Sequence, residues 1–457
     1  MVQEMKMKNP RIIIIGAGPC GLGAGWRLRE LGYSNYTIYE QSDHVGGLAS
    51  SYVDSNGFTW DVGGHVLHSH YTYFDQMFES VMRGDYFTHE RESWVWIYDR
   101  FVPYPFQNNI RHLPKKAMDE CLKGLYERSK KSPKHFADWI AASFGDGIAN
   151  HFLTPYNKKV WAYPLDMMSF GWVGDRVATV DITRIEKNIR EQKDDVSWGP
   201  NAVFHFPKRG GTGEIWRRVA KTLATHISYR KEVTRIDAKR HSIHFSDGTT
   251  DTYDELLSTM PLDVLLTRIG EQRKRKFDLH FSGVAIVGIG IKGEIPDRLR
   301  GKCWMYFPEN QAPFFRATVF SHYSQFNAPP GSWSLMTEVS GSKERPFPQG
   351  DMIDVVIRGA KAVKLIGSHD TIQSTWAYYV DHGYPTPTIN RDRFLHAVLQ
   401  ALTRVHVYSR GRFGAWKYEV SNQDHTFMQG VEWVNAILLG EKEITVDHAN
   451  QVNQVRS

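Results

Sequence analysis

The sequence has 457 residues, 41% of them apolar and 23% charged, which is the composition of a globular protein with two or three domains. Its formal net charge of +6 is modest for this length, so nucleic acid is not an expected partner. The three cysteines form no CxxC pair and no stretch is apolar enough to span a bilayer, which argues against a disulfide framework, predicts no metal site, and favours a soluble, cytoplasmic protein without a membrane partner.

The first forty residues predict a βαβ unit. Arg11 to Ile15 is a short β-branched run that ends at Gly16, and Ala24 to Leu31 has helical character before Gly32. Tyr36 to Tyr39 supplies a second strand. A strand, a glycine turn, a helix and a further strand are typical of the start of a parallel sheet.

The rest of the chain changes character twice. From Pro114 to Ile189 apolar residues recur at helical spacing, which predicts a mainly helical insertion. Strand patterns then dominate, at Glu232 to Asp237, Ser242 to Phe245, Ser282 to Ile291, Ser332 to Val339 and Thr371 to Val380, with a turn at Ser246-Asp247-Gly248. Met428 to Leu439 returns to a helical period.

Gly16, Gly18 and Gly21 form G-x-G-x-x-G between the first strand and the helix, the context in which backbone N–H groups approach a pyrophosphate. Glu40 ends the next strand at the separation expected of the acid that accepts ribose hydroxyls. Cys20 is expected to be a small buried spacer, because it has no partner thiol. The alternative is a structural glycine turn with a surface glutamate.

NAD and FAD share this fingerprint, and later glycines separate them. Gly46-Gly47-Leu48 and Gly63-Gly64-His65 suit backbone packing along a long cofactor. Here the chain resembles the FAD-binding fold of glutathione-reductase and amine-oxidase type enzymes. Other residues are also expected to contact FAD. They are Val233, Arg412 after Gly411, and Asn422, Gln423 and Thr426 at the start of a C-terminal helix.

These patterns together predict an α/β protein with three parts. The first is a discontinuous, Rossmann-like FAD-binding domain over 1–90, 206–260 and 405–457. An inserted helical domain occupies 110–200. A mainly antiparallel β-sheet domain is formed by 91–109 and 261–404.

Several segments carry a narrower resemblance that spans nearly the whole chain. They are Gly63-Gly64-His65-Val66, Pro103-Tyr104-Pro105-Phe106-Gln107, Pro155-Tyr156-Asn157-Lys158-Lys159-Val160-Trp161, Trp198-Gly199-Pro200-Asn201, Lys302-Cys303-Trp304-Met305-Tyr306, and His382-Gly383-Tyr384-Pro385. These segments resemble the UDP-galactopyranose mutase family, in particular its eukaryotic-type branch.

The resemblance implies a site for a nucleotide sugar. The uridine pocket it implies consists of Tyr104, Phe106, Gln107, Phe152, Asn157 and Trp161, with core packing as the alternative for the aromatic residues. The diphosphate is matched to Arg176 and Arg316 with Tyr306, Tyr384 and Tyr418, and Trp304 joins the substrate set. Arg176 and Asn201 resemble the family's mobile flaps; for Arg176 alone, the alternative is a surface salt bridge.

The family resemblance also implies the chemistry. Its members interconvert UDP-galactopyranose and UDP-galactofuranose through nucleophilic attack of N5 of reduced FAD on the anomeric carbon. Arg176 and Arg316 are then expected to stabilise the departing diphosphate. His65 is expected to help hold the reduced flavin, with a structural histidine as the alternative. NADPH is the expected reductant, in contact with His68 and Arg91.

Two other functions stay open from the sequence. An amine-oxidase-like flavin oxidoreductase would need a chamber for an amine or a hydrocarbon, whereas the paired arginines and tyrosines suit a diphosphate better. A binding module related to GDP-dissociation inhibitors would lack flavin, and the intact glycine set with Glu40 argues against it. The oligomeric state, the preferred UDP-sugar, and the choice between NADPH and NADH are not indicated.

Overall fold

The computed structural model describes residues 9–174, 177, 180–196, 203–270 and 279–454. The strands in chain order are β1 (Ile12–Ile15), β2 (Tyr36–Tyr39), β3 (Ser51–Val53), β4 (Thr59–Asp61), β5 (Tyr86–Glu90), β6 (Ser93–Ile97), β7 (Arg100–Pro103), β8 (Val203–Pro207), β9 (Ile227–Ser228), β10 (Val233–Asp237), β11 (Ser242–Phe245), β12 (Thr250–Thr252), β13 (Glu255–Ser258), β14 (Phe281–Lys292), β15 (Trp304–Tyr306), β16 (Arg316–Val319), β17 (Ser332–Gly341), β18 (Ile372–Pro385) and β19 (Val407–Ser409). The helices are α1 (Pro19–Glu30), α2 (Thr72–Met82), α3 (Lys115–Tyr126), α4 (Phe136–Ile148), α5 (Thr154–Trp161), α6 (Ile182–Glu191), α7 (Gly213–Lys221), α8 (Leu262–Ile269), α9 (Met352–Ala362), α10 (Arg391–Thr403), α11 (Gln423–Leu439) and α12 (Ala449–Gln454).

A parallel sheet of five short strands holds the first part of the fold together. Its order is β19-β13-β1-β2-β9, and every neighbouring pair is parallel. Ile12 and Ile14 pack with α1, α7 and α11 on one face, while Ile13 and Ile15 pack with β10, β11, α8 and α10 on the other. Both faces of β1 are therefore buried, as a parallel sheet requires.

The βαβ unit predicted from the sequence is confirmed, but its helix begins at Pro19 instead of Ala24. Proline suits the first helical position because its missing N–H would have no partner there. The glycines after it hid the helical pattern, and Gly23 is required by packing. A Cβ on Gly23 would lie 2.2 Å from the carbonyl oxygen of Phe427, so α1 and α11 are in backbone contact.

The second sheet has seven strands in the order β18-β14-β17-β16-β15-β6-β7. All neighbours are antiparallel except β15 and β6. This arrangement confirms the mainly antiparallel sheet. Strand β18 continues to Pro385, five residues beyond the predicted end at Val380, and therefore carries Tyr384.

The helices α3 to α6 lie between β7 and β8 in sequence, which confirms the prediction of a mainly helical insertion. Their apolar residues share one core with Val95, Trp304, Tyr306 and Phe315 of the antiparallel sheet. Over the residues that the structure describes, no helix has the length and apolarity to cross a bilayer. The numerical domain boundaries stay a prediction.

Candidate functional site

A cavity of about 600 Å³ opens at the ends of β1 and β2. Most of the predicted cofactor residues line it: Gly16, Gly18, Cys20, Glu40, Gly47, Leu48, Val233, Arg412, Asn422, Gln423 and Thr426. Of the other four, Gly21 lies in the first turn of α1, and Gly46, Gly63 and Gly64 belong to loops next to this wall. The structure therefore brings the predicted set together around one space.

The glycine turn has the shape that a dinucleotide needs. Gly16 has a φ of 99°, and its N–H donates to the carbonyl oxygen of Tyr39 at 2.7 Å. A Cβ on Gly21 would lie 1.9 Å from the carbonyl oxygen of Gly16, so this glycine allows α1 to pack against the turn. A Cβ on Gly18 would meet no described atom closer than 3.8 Å and would occupy the space left for a ligand. Such a cradle fits a pyrophosphate.

Glu40 presents a fixed carboxylate at this wall. Its Oε2 accepts the N–H of Ala17 at 2.7 Å, and its Oε1 accepts the N–H of Ser42 at 2.9 Å. The side chain is buried. An acceptor held by two backbone donors beside the glycine turn suits the hydroxyls of a ribose.

Two helices direct their N-terminal turns at the same cavity. Neither Gly18, at the start of α1, nor Asn422, at the start of α11, makes a side-chain capping bond within the described chain. First-turn N–H groups without an intrahelical partner attract a negatively charged ligand. Cys20 lies in the first turn of α1, and burial raises the pKa of its thiol. This agrees with the predicted spacer.

His65 follows the glycine turn at Gly63 and Gly64 and also lines the cavity. Its Nε2 lies 3.0 Å from the carbonyl oxygen of Val62. Because a carbonyl oxygen only accepts, Nε2 carries the proton and Nδ1 is left as an acceptor. Burial, and then the positive charge of Arg412, lower the pKa of His65 to about 4. The ring is therefore neutral near pH 7.

The partly buried Arg316 and the buried Glu338 form an ion pair on neighbouring strands. Nε of Arg316 donates to Oε1 of Glu338 at 2.7 Å, and Nη2 donates to Oε2 at 2.6 Å. Oε1 also accepts the N–H of Gly64 at 2.9 Å. Burial is the largest single influence on the pKa of the Arg316 guanidinium and lowers it, but the charge and hydrogen bond of Glu338, together with Tyr384 and Tyr156, raise the pKa well above its ordinary value. Arg316 is thus a permanent cation next to the turn that carries His65.

Aromatic rings surround this cation. The guanidinium of Arg316 lies 4.7 Å from the centre of the Trp304 ring, and that of Arg91 lies 4.5 Å from the same ring. Nη2 of Arg91 also donates to the hydroxyl of Tyr306 at 3.3 Å. The ring centres of Tyr104 and Tyr306 are 5.3 Å apart. Cations, ring faces and hydroxyl groups therefore occur together beside Arg316.

A second aromatic group links Arg412 to α5. The Arg412 guanidinium lies 5.2 Å from the Tyr384 ring and 5.8 Å from the Tyr418 ring. Trp161 contacts both tyrosines, with ring centres 6.0 and 4.9 Å away. Burial raises the pKa of Tyr384 above its ordinary value, so its hydroxyl stays protonated and can donate to an anion.

The residues predicted to bind uracil lie deeper in the protein. The rings of Phe106 and Phe152 are 4.7 Å apart and both are fully buried. Asn157 donates to the carbonyl oxygen of Leu153 at 2.8 Å, and its Oδ1 accepts the indole N–H of Trp161 at 3.3 Å. These contacts fit a packed core as well as a pocket wall. Their role, and that of the buried Gln107, stays a prediction.

Arg91, one of the two residues predicted to contact NADPH, lies over the Trp304 ring. Nδ1 of His68 lies 3.0 Å from the carbonyl oxygen of Val203. Burial, and then the charge of Arg91, lower the pKa of His68 to about 4. The two flap residues, Arg176 and Asn201, lie outside the described residues, so their predicted roles stay predictions.

Sequence reasoning missed Glu338 and Tyr156. Tyr156 is in ring contact with both Phe152 and Tyr306, with centres 5.4 and 5.1 Å apart. One signal pointed to Glu338: it is an acid inside the apolar run Ser332 to Val339. Because a glutamate is rarely buried without a partner, an acid at this position predicts a cation close to it.

Comparison with known proteins agrees with this geometry. The profile of the family described as flavin containing amine oxidoreductase matches residues 19–407. A crystal structure of reduced UDP-galactopyranose mutase superposes with a TM-score of 0.95 and 46% sequence identity, covering 98% of each chain.

Curated relatives match shorter stretches. The 4,4'-diaponeurosporene oxygenase of Staphylococcus haemolyticus is 33% identical over 92 residues, which are 20% of this chain and 18% of that protein. Polyamine oxidase 5 of Oryza sativa subsp. japonica is 23% identical over 313 residues, which are 65% of this chain and 59% of that protein. The chain therefore spans less than two thirds of the length of these curated relatives.

Proposed function

Because the chain belongs to the flavin containing amine oxidoreductase family and, within it, to the UDP-galactopyranose mutases, we propose that it is an isomerase that interconverts UDP-galactopyranose and UDP-galactofuranose. The observation that carries this proposal is the shared carboxylate of Glu338. It binds both the Arg316 guanidinium and the Gly64 N–H, so the cation proposed to bind the diphosphate lies beside the Gly63–Gly64 turn at the flavin cavity. An amine substrate would gain nothing from a partly buried cation there.

The cavity residues fit FAD as the cofactor. Gly16 and Gly18 leave room for the pyrophosphate, and Glu40 presents its carboxylate to the ribose. When bound and reduced, the flavin supplies N5 as the nucleophile for the anomeric carbon. The neutral ring of His65 offers Nδ1 as an acceptor at this wall. Nδ1 can accept a hydrogen bond from an N–H group of the reduced cofactor while the ring stays neutral.

Arg316 has donors left for the substrate. A guanidinium carries five N–H groups, and two of them are directed at Glu338. No described residue accepts a hydrogen bond from Nη1, and this remaining edge is proposed to bind diphosphate oxygens and to stabilise the charge that grows as UDP departs. The hydroxyls of Tyr306, Tyr384 and Tyr418 are proposed as further donors to the diphosphate. Arg176 and Asn201 are proposed to add contacts from the flaps.

The remaining assignments belong to the same proposal. Tyr104, Phe106, Gln107, Phe152, Asn157 and Trp161 are proposed to hold the uridine, with Trp304 beside the sugar. NADPH is the proposed reductant, held by His68 and Arg91; the charge of Arg91 is close enough to lower the pKa of His68. The division into a discontinuous FAD-binding domain, a helical domain and an antiparallel sheet domain is proposed with the boundaries given above.

The function is tested by incubating the purified protein with UDP-galactofuranose, with and without dithionite, and separating the products by chromatography. We expect UDP-galactopyranose only under reducing conditions. Arg316→Ala is expected to lower the rate by about 100-fold, whereas Arg300→Ala, an exposed arginine, is expected to retain it. Absence of pyranose product from the reduced wild-type protein would contradict the proposal.

The reductant is tested separately by mixing the oxidised protein with NADPH in a stopped-flow instrument. Loss of the visible absorbance of the oxidised flavin is the expected signal. Arg91→Ala is expected to slow this reduction, because the cation that attracts the dinucleotide phosphates is removed. An unchanged flavin spectrum would overturn the assignment of NADPH and leave the isomerase proposal in place.

A further inference from the structure

Lys159, on α5, is buried, and its ammonium nitrogen lies among four backbone carbonyl oxygens. Nζ is 2.6 Å from the oxygens of Glu309 and Ala312, 2.9 Å from that of Phe307 and 3.3 Å from that of Phe314. An ammonium group has three N–H donors. Burial lowers the pKa of Lys159 to about 7, whereas four carbonyl oxygens, which only accept, favour the charged form, whose three donors the short contacts satisfy.

All four acceptors belong to one connection of the chain. Strand β15 ends at Tyr306 and strand β16 begins at Arg316, so this connection joins two residues of the proposed diphosphate site. It is tied to the sheet at its end, where the Phe315 N–H donates to the carbonyl oxygen of Glu338 at 3.0 Å. Lys159 therefore binds this connection to α5 through hydrogen bonds to its backbone.

The same helix carries residues of the proposed nucleotide pocket. Tyr156 contacts the Tyr306 ring, and Asn157 and Trp161 are hydrogen-bonded to each other. The ammonium of Lys159 thus joins the helix that faces the nucleotide to the loop that ends at Arg316. An apolar side chain could fill the same volume, but it would leave several buried carbonyl oxygens without a donor.

We propose that Lys159 is a positioning residue of this enzyme: by binding the connection between Tyr306 and Arg316, its ammonium sets the distance of Arg316 from the nucleotide-binding helix. This inference rests on the proposed function, because it assigns to Lys159 the alignment of the diphosphate cation with the nucleotide. A small displacement of an aligned group can cost about 100-fold in rate. Lys159 itself does not contact the reacting atoms.

The first test compares Lys159→Met with Lys158→Met in the full-length flavin-loaded protein. Lys158 is the adjacent, exposed residue on the same helix and serves as the matched control. We expect Lys159→Met to lower kcat by about 10- to 100-fold and to weaken UDP binding, while the flavin content stays at the wild-type value. Lys158→Met is expected to stay within about twofold of the wild type, as is usual for a surface change.

The second test is rescue by a small cation and separates positioning from a general loss of structure. Lys159→Ala leaves a space lined by carbonyl oxygens, which methylammonium can enter. We expect methylammonium chloride to raise the activity of Lys159→Ala severalfold and to raise its Tm by several degrees. Tetramethylammonium chloride, which has no N–H donor, is expected to have no effect, and Lys158→Ala is expected not to respond to either salt.

The two proposals fail in different ways. If the reduced wild-type protein and Lys158→Met both form no pyranose product, the proposed function is wrong. If the wild type is active and Lys159→Met has the same kcat and UDP affinity, the inference about Lys159 is overturned. A Lys159→Ala protein that shows no response to methylammonium, in either activity or Tm, would overturn it as well.

Discussion

Arg316 and Glu338 face each other directly across the neighbouring strands β16 and β17, and both N–H groups on one edge of the guanidinium donate to the carboxylate. The carboxylate also accepts the Gly64 N–H. One buried side chain therefore supports the proposed diphosphate cation and the turn that carries His65. A change at Glu338 should therefore alter both the position of Arg316 at the substrate and the position of the turn at the flavin.

Replacing Glu338 by Gln should impair catalysis and stability together. Glutamine offers one acceptor oxygen in place of two and no charge, so Arg316 loses its counter-charge in a partly buried position. We expect the free energy of unfolding to fall by about 3 kcal/mol and kcat to fall by about 10- to 100-fold. Denaturant unfolding and steady-state kinetics measure the two effects.

Arg391→Gln is the matched control for this variant. Arg391 forms a buried, two-pronged pair, with Glu419 at 2.6 and 2.9 Å. Its loss is expected to lower the stability by a similar amount and to leave kcat within about threefold of the wild type, because Arg391 lies in neither proposed binding site. An unchanged kcat for Glu338→Gln would show that Arg316 needs no such support.

The contact between α1 and α11 predicts a severe effect for Gly23→Ala. The added Cβ would lie 2.2 Å from the carbonyl oxygen of Phe427, so the helices must separate and their N-termini must move at the flavin cavity. We expect a loss of about 3 kcal/mol in stability and a reduced flavin content in the purified protein. Gly171→Ala is the control, because its Cβ would meet only Ser169 Oγ at 3.7 Å among the described atoms. Equal stability of the two variants would contradict the backbone contact.

Glu40→Gln should weaken flavin binding without unfolding the protein. The carboxylate accepts two backbone N–H groups, and an amide can replace only part of this pattern while losing the charge that favours ribose hydroxyls. A hydrogen bond to a charged group contributes about 1.5–3 kcal/mol, so the Kd for FAD should rise by roughly 10- to 100-fold. Fluorescence titration of the deflavinated protein measures it. Glu30→Gln, at the far end of α1, should bind FAD like the wild type.

The protonation of His65 gives a pH prediction with a definite sign. Its pKa in the folded protein is lowered to about 4, so between this value and about 6.5, the ordinary pKa, the unfolded chain binds more protons than the folded protein does. His65 therefore contributes stability above about pH 6.5 that is lost as the pH falls towards 4. In NMR titrations, the signal absent from His65→Asn should titrate below pH 5. Arg412→Met should raise that pKa; a wild-type value near 6.5 would contradict the assigned neutral ring.

Local patterns were sufficient to predict which residues the structure brings to one cavity, while their binding of FAD stays a prediction. Gly16, Gly18 and Glu40 follow from the geometry that a phosphate and a ribose impose on a strand, a turn and a helix, and the structure places them on one cavity. The early start of α1 at Pro19 was missed because glycines required by the contact with α11 conceal the helical period.

The substrate half depends on contacts between distant parts of the chain. Arg316 and Glu338 are 22 positions apart, and Lys159 meets acceptors about 150 positions away. No local pattern specifies such pairs, although a charged residue in an apolar strand signals that a partner exists. For Phe106 and Phe152, burial alone fits both a core and a pocket wall. Their assignment therefore continues to rest on the family resemblance.

The central claim is that the flavin acts without net oxidation of the sugar, and one anaerobic measurement tests it directly. The protein is reduced once, freed of excess reductant, and mixed with a large excess of UDP-galactofuranose while the flavin spectrum and the product are followed together. We expect many molecules of UDP-galactopyranose per flavin, with the spectrum remaining that of the reduced cofactor. No more than one product molecule per flavin, accompanied by reoxidation of the flavin, would contradict the account.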